Sequence, residues 1–319
     1  MQPDPAVAFV TGATGAQGGA TARQLLDAGA QVHALVRDTS SQAAIDLQAR
    51  GARLFQGSFD DIAVLKAAMS RANAVFLNVL PSPRDPSLEV TYAKNIIDAA
   101  KAAGSVTTMV YSSVTMTGKH ETFPNWGPEY PLAWYWTNKD QIEKMVRSAG
   151  FQHWTILRPA FLMDNYHQPK VSFMFPELVA SHTFLTAYHP DTRMTVVDSD
   201  DVGKFATAAI LEPSRFHGHE IDLGVESLSP AEIVRALSHA SGKEVGLQFY
   251  SKDEAERIAA RNPRIWADLW ANDVGYQVNF EELDNYQIQM TSFSQYLQNQ
   301  RGVILRTFGQ DPTYATSAV

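Results

Sequence analysis

"FVTGATGAQGGA", residues 9–20, sets Gly12, Gly15 and Gly18 directly after a short apolar run and at the mouth of an amphipathic stretch. Each glycine answers a different steric demand. Gly12 admits a tight turn, Gly15 lets the backbone come up to a pyrophosphate, and Gly18 lets helix and sheet pack closely. The N-terminus of the following helix offers unpaired N–H groups to the anion. A glycine trio alone is weak evidence, but the strand–turn–helix setting turns it into a dinucleotide-binding signature. The expected cofactor contacts in the loop are Gly12, Thr14, Gly15, Ala16, Gln17 and Gly18.

Outward from that loop, short β-branched runs alternate with helical stretches, the pattern of a parallel sheet covered on both faces. The strand-like runs are "VAFV" (7–10), "QVHALV" (31–36), "ARLFQ" (52–56), "AVFLNV" (74–79), "TTMVYS" (107–112) and "WTILRP" (154–159). Among the helical stretches, "DQIEKMVRSAG" carries Ile142, Met145, Val146 and Ala149 on one face and stops at Gly150. Beyond about residue 160 the alternation loosens into an irregular aromatic region, 161–192. A strand-like "HEIDLG" and a helix opening Ser229-Pro230-Ala231-Glu232 follow, the latter a capping box.

The whole chain bounds the function. Its 319 residues, 45% hydrophobic and 19% charged, describe an ordinary globule with room for a large α/β domain. A formal charge of −8 with no basic stripe argues against a nucleic-acid partner. The absence of cysteine excludes disulfides, thiolate chemistry and zinc–sulfur sites. No helix-spaced histidine set suggests a metal. No stretch has the apolar length of a membrane span and no signal peptide is visible, so a cytoplasmic, membrane-free protein is the expectation. "DSDD" (198–201) reads as helix capping rather than as paired catalytic carboxylates.

At the end of the second strand, NAD-type sites place an acid for the ribose 2′-hydroxyl; "HALVRD" offers Arg37, with Asp38 next to it. A guanidinium suits a 2′-phosphate, which favours NADP(H). Ligands of such folds bind outside the carboxyl ends of the strands. That rule nominates Gly57 and Ser58, Asn78 and Val79, and Pro159, Ala160 and Phe161 as further cofactor contacts.

The glycine spacing is similar to that of extended and atypical short-chain dehydrogenases/reductases. Together with "ALVRD", "GARLFQGSFDD", "NIIDAAKAAG", "VYSSV", "NKDQIEKMVRSAGFQHWTILRPAFLMDN" and "DSDDVGKFATAAILEP", it resembles the NmrA-like family over roughly residues 6–300. The resemblance implies an α/β chain, a Rossmann-type doubly wound parallel sheet with a smaller, discontinuous C-terminal substrate-binding lobe. Residues 1–160 would form the NADP-binding domain and 161–305 mainly the lobe, with a strand near 219–223 returning to the sheet and 306–319 a tail. The family contains both NADP-binding regulators without turnover and reductases. Two departures stand out. Ser58 replaces a common acid after the third strand, and Tyr135 stands where many members lack the superfamily tyrosine.

"LAWYWTNKD" (132–140) puts Tyr135 four residues before Lys139, on one helix face. Hydride delivery to a C=O builds charge on oxygen and needs a proton donor within hydrogen-bond reach. A phenol of ordinary pKa near 10 serves, and a neighbouring ammonium is expected to bring that pKa down. Lys139 would also hydrogen-bond the nicotinamide ribose. A hydroxyl at the end of the fifth strand would hold the substrate oxygen; of Ser112 and Ser113, the resemblance favours Ser113. The expected catalytic set is Tyr135, Lys139 and Ser113. Aromatic residues 123–136 and those after the sixth strand suit a flat apolar ligand, with Trp134, Phe161, Asn165 and Tyr166 as substrate contacts.

The leading expectation is therefore an NADPH-dependent reductase of a small, bulky, hydrophobic ketone, quinone or related unsaturated compound, aromatic or polycyclic. The alternatives are a non-catalytic NADP(H)-binding redox sensor with a protein partner, and an epimerase or dehydratase that returns its hydride.

Overall fold

A computed structural model describes residues 6–309. Its strands are β1 (Val7–Val10), β2 (Gln31–Val36), β3 (Arg53–Gln56), β4 (Ala74–Leu77), β5 (Thr108–Ser112), β6 (His153–Pro159), β7 (Phe161–Leu162), β8 (Thr183–Thr186), β9 (Met194–Val197), β10 (Glu220–Leu223), β11 (Glu226–Leu228) and β12 (Gly246–Phe249). The helices of the first half are α1 (Ala16–Asp27), α2 (Gln42–Ala49), α3 (Ile62–Met69), α4 (Ser87–Ala103) and α5 (Ala133–Ser148). Those of the second half are α6 (Val171–Met174), α7 (Pro176–Ala180), α8 (Ser199–Leu211), α9 (Pro213–Phe216), α10 (Pro230–Ser241), α11 (Lys252–Ala259), α12 (Pro263–Asp273), α13 (Phe280–Asp284), α14 (Phe293–Asn299) and α15 (Arg301–Phe308). No helix among the described residues is long and apolar enough to cross a membrane.

Seven strands make one sheet in the order β10-β6-β5-β4-β1-β2-β3, every neighbour parallel. β4 and β5 are buried along their whole length, as strands covered on both faces must be. Val110 and Phe76 pack with α1 and α8 on one face; Met109, Tyr111, Val75 and Leu77 pack with α3, α4 and α5 on the other. The strand order reverses between β1 and β4, which opens the ligand crevice at their carboxyl ends.

β10 is drawn to β6 by register and by charge. Arg158 on β6 reaches Glu143 of α5 (Nε–Oε1 2.9 Å) and Glu220 of β10 (2.5 Å), and Arg147 of α5 closes the ring onto Glu220 (2.5 Å) and Glu143 (2.6 Å). Glu143 is fully buried, so these contacts compensate a desolvated carboxylate and at the same time fix the pose of α5.

α2, α9 and α13 pack into the sheet's own core with α8, so part of the expected lobe belongs to the Rossmann domain. Most other elements gather around a second core that takes in Val114 and Met116 after β5 and Phe161 and Met163 after β6. This lobe holds a small sheet, β11-β9-β7, and the parallel pair β12-β8, and its core includes Tyr166, Phe175, Phe184 and Phe293. The region expected to be irregular, 161–192, thus contains two short strands and short helices; β7 has two residues and pairs with β9 far along the chain, so it leaves no local pattern. The capping box at Ser229 and Glu232 is formed, and Asp198 caps α8. The expected tail begins inside α15, and residues 310–319 lie outside the described residues.

Candidate active site

The glycine loop is shaped as its spacing requires. Gly12 sits at φ +61°, and an ideal Cβ on Gly18 would fall 2.4 Å from the carbonyl oxygens of Thr11 and Gly12. The Thr11 hydroxyl donates to the Phe76 carbonyl (3.0 Å) and accepts from the Asn78 N–H (2.7 Å), tying the loop to the end of β4. Gly15 caps α1 without a side chain, so no cap bond occupies the helix N-terminus, and Thr14 and Gly15 are exposed above it. These residues fit a dinucleotide pyrophosphate. Gln17 and Ala16 are half-buried; the Gln17 amide oxygen accepts from Ser112 (2.5 Å), so its side chain serves the joint between loop and β5.

Arg37 and Asp38 are both exposed, but they are not equivalent. The Asp38 carboxylate accepts from the Ser40 N–H (2.8 Å) and hydroxyl (2.6 Å), bonds that hold it below the usual carboxylate range. It is committed to its own turn. Arg37 makes no ion pair among the described residues and is the group left to meet a 2′-phosphate. Gly57 N–H bonds the Val36 carbonyl (3.0 Å), and Ser58 donates to Asp60, an acid the sequence reading did not single out. Asn78 stands over Gly12, its amide nitrogen 3.8 Å from where a Cβ there would be. The Val79 side chain, at 2% exposure, belongs to the core between sheet and α4, which leaves its backbone to meet a ligand. Pro159 and Ala160 are buried where β6 meets β7.

Lys139 is where the sequence reading needed most revision. It is 4% exposed, and its Nζ lies 2.7 Å from Oε1 of Glu89, a fully buried acid in the first turn of α4. Apart from Lys139, neither Glu89 oxygen meets a hydrogen-bond donor among the described residues. The same Nζ is 5.9 Å from the ring centroids of both Tyr111 and Tyr135. The expected lowering of the Tyr135 pKa does not occur: burial first, then Tyr276 and Glu89, push the phenol well above 10. Glu89 cancels the ammonium charge that was to have stabilised a phenolate. An ammonium has three donors, however, so Lys139 retains N–H groups for a ribose while bound to Glu89.

Removing Glu89 leaves the ammonium buried and unpaired. Glu89→Ala is expected to cost about 3–5 kcal/mol, read as a lower urea midpoint, with Lys139→Met on top recovering much of the loss. A double mutant no more stable than the single one would contradict a coupled pair.

Tyr135 is half-accessible yet strongly desolvated, and its hydroxyl makes no hydrogen bond among the described residues and is not sealed from water. That combination places the phenol, partly buried, at the edge of the aromatic cluster. Ser113 is 6% exposed, its Oγ 3.3 Å from the Thr117 hydroxyl, while Ser112 points to Gln17 on the opposite side of the strand. Ser113 also influences the buried Tyr111 phenol, whose pKa burial, Glu89 and Glu143 raise well above 10. Tyr135, Lys139 and Ser113 thus gather at the carboxyl end of β5, with Glu89 and Tyr111 as members the sequence reading missed.

The aromatic residues continue the cluster. Trp136 stands edge-on to Tyr135 (5.2 Å between centroids) and to Phe123 (5.1 Å), and is 4.9 Å from Trp270, which is 4.9 Å from Tyr276. Trp134 and Asn165 are half-buried and accessible. Phe161, 7% exposed, packs on Tyr166 and Tyr276. Tyr166 is a correction: it is wholly buried and stacked on Phe175 at 5.5 Å, part of the lobe's core rather than a substrate contact.

Fold and loop define a Rossmann-type dinucleotide-binding protein with a second lobe. A model of the NmrA-like family matches residues 6–297, and the chain belongs to that family. It is 43% identical over 249 residues to the NmrA-like family domain-containing oxidoreductase notA of Aspergillus sp. (strain MF297-2), covering 72% of this chain and 70% of that one. It is 28% identical over 256 residues to the NAD(P)H azoreductase of Xenophilus azovorans, covering 78% and 79%. The solved structure of NmrA, a negative transcriptional regulator, in complex with NADP superposes with a TM-score of 0.76 at 22% identity, covering 96% of this chain and 98% of that one. NmrA has been solved both with NADP and with NAD.

Proposed function

We propose that the protein is an NADPH-dependent reductase of a bulky aromatic or polycyclic ketone, quinone or related unsaturated compound. The observation that carries this reading is Tyr135: a protonated phenol, partly buried and without a hydrogen bond among the described residues, beside Lys139 near the end of β5. NADPH, when bound, supplies the hydride. Tyr135 supplies the proton to the substrate oxygen, Ser113 holds that oxygen, and Lys139, pinned by Glu89, orients the ribose. A phenol held well above 10 remains protonated through the whole neutral range. That is the form a proton donor in reduction needs. The azoreductase and oxidoreductase relatives support the class of reaction.

Neutralisation of Lys139 by Glu89 favours a second reading, an NADP(H)-binding regulator that docks a protein and turns nothing over. A panel of quinones, aromatic ketones and azo compounds decides between them. NADPH consumption with product formation supports the reductase. Tight NADPH binding with no acceptor reduced supports the regulator, and conversion without NADPH loss indicates an epimerase or dehydratase.

Cofactor choice is tested at Arg37. Arg37→Ala is expected to weaken NADPH about 10- to 100-fold, the worth of a charge-assisted hydrogen bond, with NADH affinity little changed. Equal losses for both cofactors, measured by fluorescence titration, would remove Arg37 from the 2′-phosphate.

A further inference from the structure

Tyr276 comes from the lobe, in the loop after α12, yet it packs against the same aromatic cluster as Tyr135 and lies near enough to raise that phenol's pKa. It is half-accessible, its hydroxyl makes no hydrogen bond among the described residues and is not sealed from water, and its ring rests on Trp270 (4.9 Å) and Phe161 (6.4 Å). Two bonds hold its backbone in place. The buried Thr195 hydroxyl donates to the Tyr276 carbonyl (2.9 Å), and the fully buried Thr115 hydroxyl donates to the next carbonyl, Gln277 (3.0 Å). Thr115 lies two residues beyond Ser113, so the lobe's loop is fastened to the segment that carries the strand-end serine. Burial keeps the Tyr276 phenol protonated, its pKa pushed beyond the ordinary value of 10, and Tyr135 senses its presence.

We infer that Tyr276 is a substrate-binding residue that donates a hydrogen bond to a second acceptor atom of the substrate, while Tyr135 serves the first. The inference rests on the reductase reading and narrows it: the preferred substrate is a planar ring system with polar atoms at both ends. Tyr276 transfers no proton and forms no bond; it selects and orients. One phenol is contributed by the Rossmann domain and the other by the lobe, so a two-ended substrate bridges the two.

The test compares a para-quinone with the aromatic mono-ketone of the same ring system, using wild type and Tyr276→Phe. Phenylalanine keeps the ring contacts to Trp270 and Phe161 and removes only the hydroxyl. The ratio of kcat/KM for quinone over ketone is expected to fall about 5- to 10-fold, mainly through KM, the worth of one neutral hydrogen bond. An unchanged ratio overturns the inference. If wild type reduces neither compound, the reductase reading fails separately, and quinone binding is read instead from quenching of tryptophan fluorescence. Weaker binding by Tyr276→Phe still supports the contact, and equal binding refutes it.

Discussion

Tyr135→Phe is expected to lower kcat for NADPH-dependent reduction by about 10²- to 10⁴-fold, the usual contribution of a positioned acid, while NADPH affinity stays within about twofold. The asymmetry follows from what the substitution removes. The ring, which stands edge-on to Trp134 and Trp136, remains, and with it the packing of the first turns of α5. Only the hydroxyl goes, and that hydroxyl has no hydrogen-bond partner among the described residues, so none of them is left unsatisfied. Lys139 keeps Glu89 at 2.7 Å and therefore keeps its place. A structural tyrosine would show the reverse, with activity following stability. Equal kcat in mutant and wild type would remove Tyr135 from the chemistry and leave the proton to come from water.

Gly18→Ala is the larger change to binding. Its Cβ would lie 2.4 Å from two backbone oxygens, those of Thr11 and Gly12, and backbone cannot rotate aside as a side chain can. Relief requires α1 to move away from the loop, which carries the helix N-terminus off the pyrophosphate position. NADPH affinity is expected to fall more than about 100-fold, with overpacking costing about 1–3 kcal/mol of stability. Gly15→Ala is the instructive contrast. Its Cβ meets only Gly12 O at 3.3 Å, so the apo protein should tolerate it far better. Urea unfolding and NADPH titration of the two variants separate the effects; NADPH binding by Gly18→Ala at wild-type affinity would contradict the close approach.

The parts of this molecule that were legible in its sequence are those encoded locally. Gly12, Gly15 and Gly18 fall within one turn, and their steric reasons act on neighbours a few residues away. The six expected strands of the first half appear in place; for β4 and β5 the reason is that a strand buried on both faces is a near-continuous apolar run, whereas β3 lies exposed at the sheet edge. The fourth, expected to reach residue 79, ends at Leu77, since Asn78 gives its N–H to Thr11 rather than to a neighbouring strand. Tyr135 and Lys139 were visible as a pair because helical spacing places them together.

What was hidden is what the tertiary fold brings together. Glu89 reads as an ordinary acid in a helix's first turn, where the dipole favours it, and nothing in "SLEV" announces a buried counter-ion for Lys139. Burial first, then Tyr276 and this missed acid, raised the Tyr135 phenol where a lowering was expected. Tyr276 sits in an unremarked "VGYQV" and is fastened beside the aromatic cluster only through Thr115 and Thr195. Tyr166 was misjudged for a related reason: "DNYH" looks the same on a cleft rim as inside a lobe, and the four aromatic rings that enclose it come from four different segments.

A crystal structure of the protein with NADP+ and an unreactive aromatic carbonyl or quinone analogue addresses the central claim most directly. The account predicts the acceptor oxygen within about 2.6–3.2 Å of Tyr135 Oη, with the nicotinamide stacked beside it and Lys139 still on Glu89. An analogue seated elsewhere, or a Tyr135 hydroxyl turned away from the nicotinamide and touching no ligand, would contradict it.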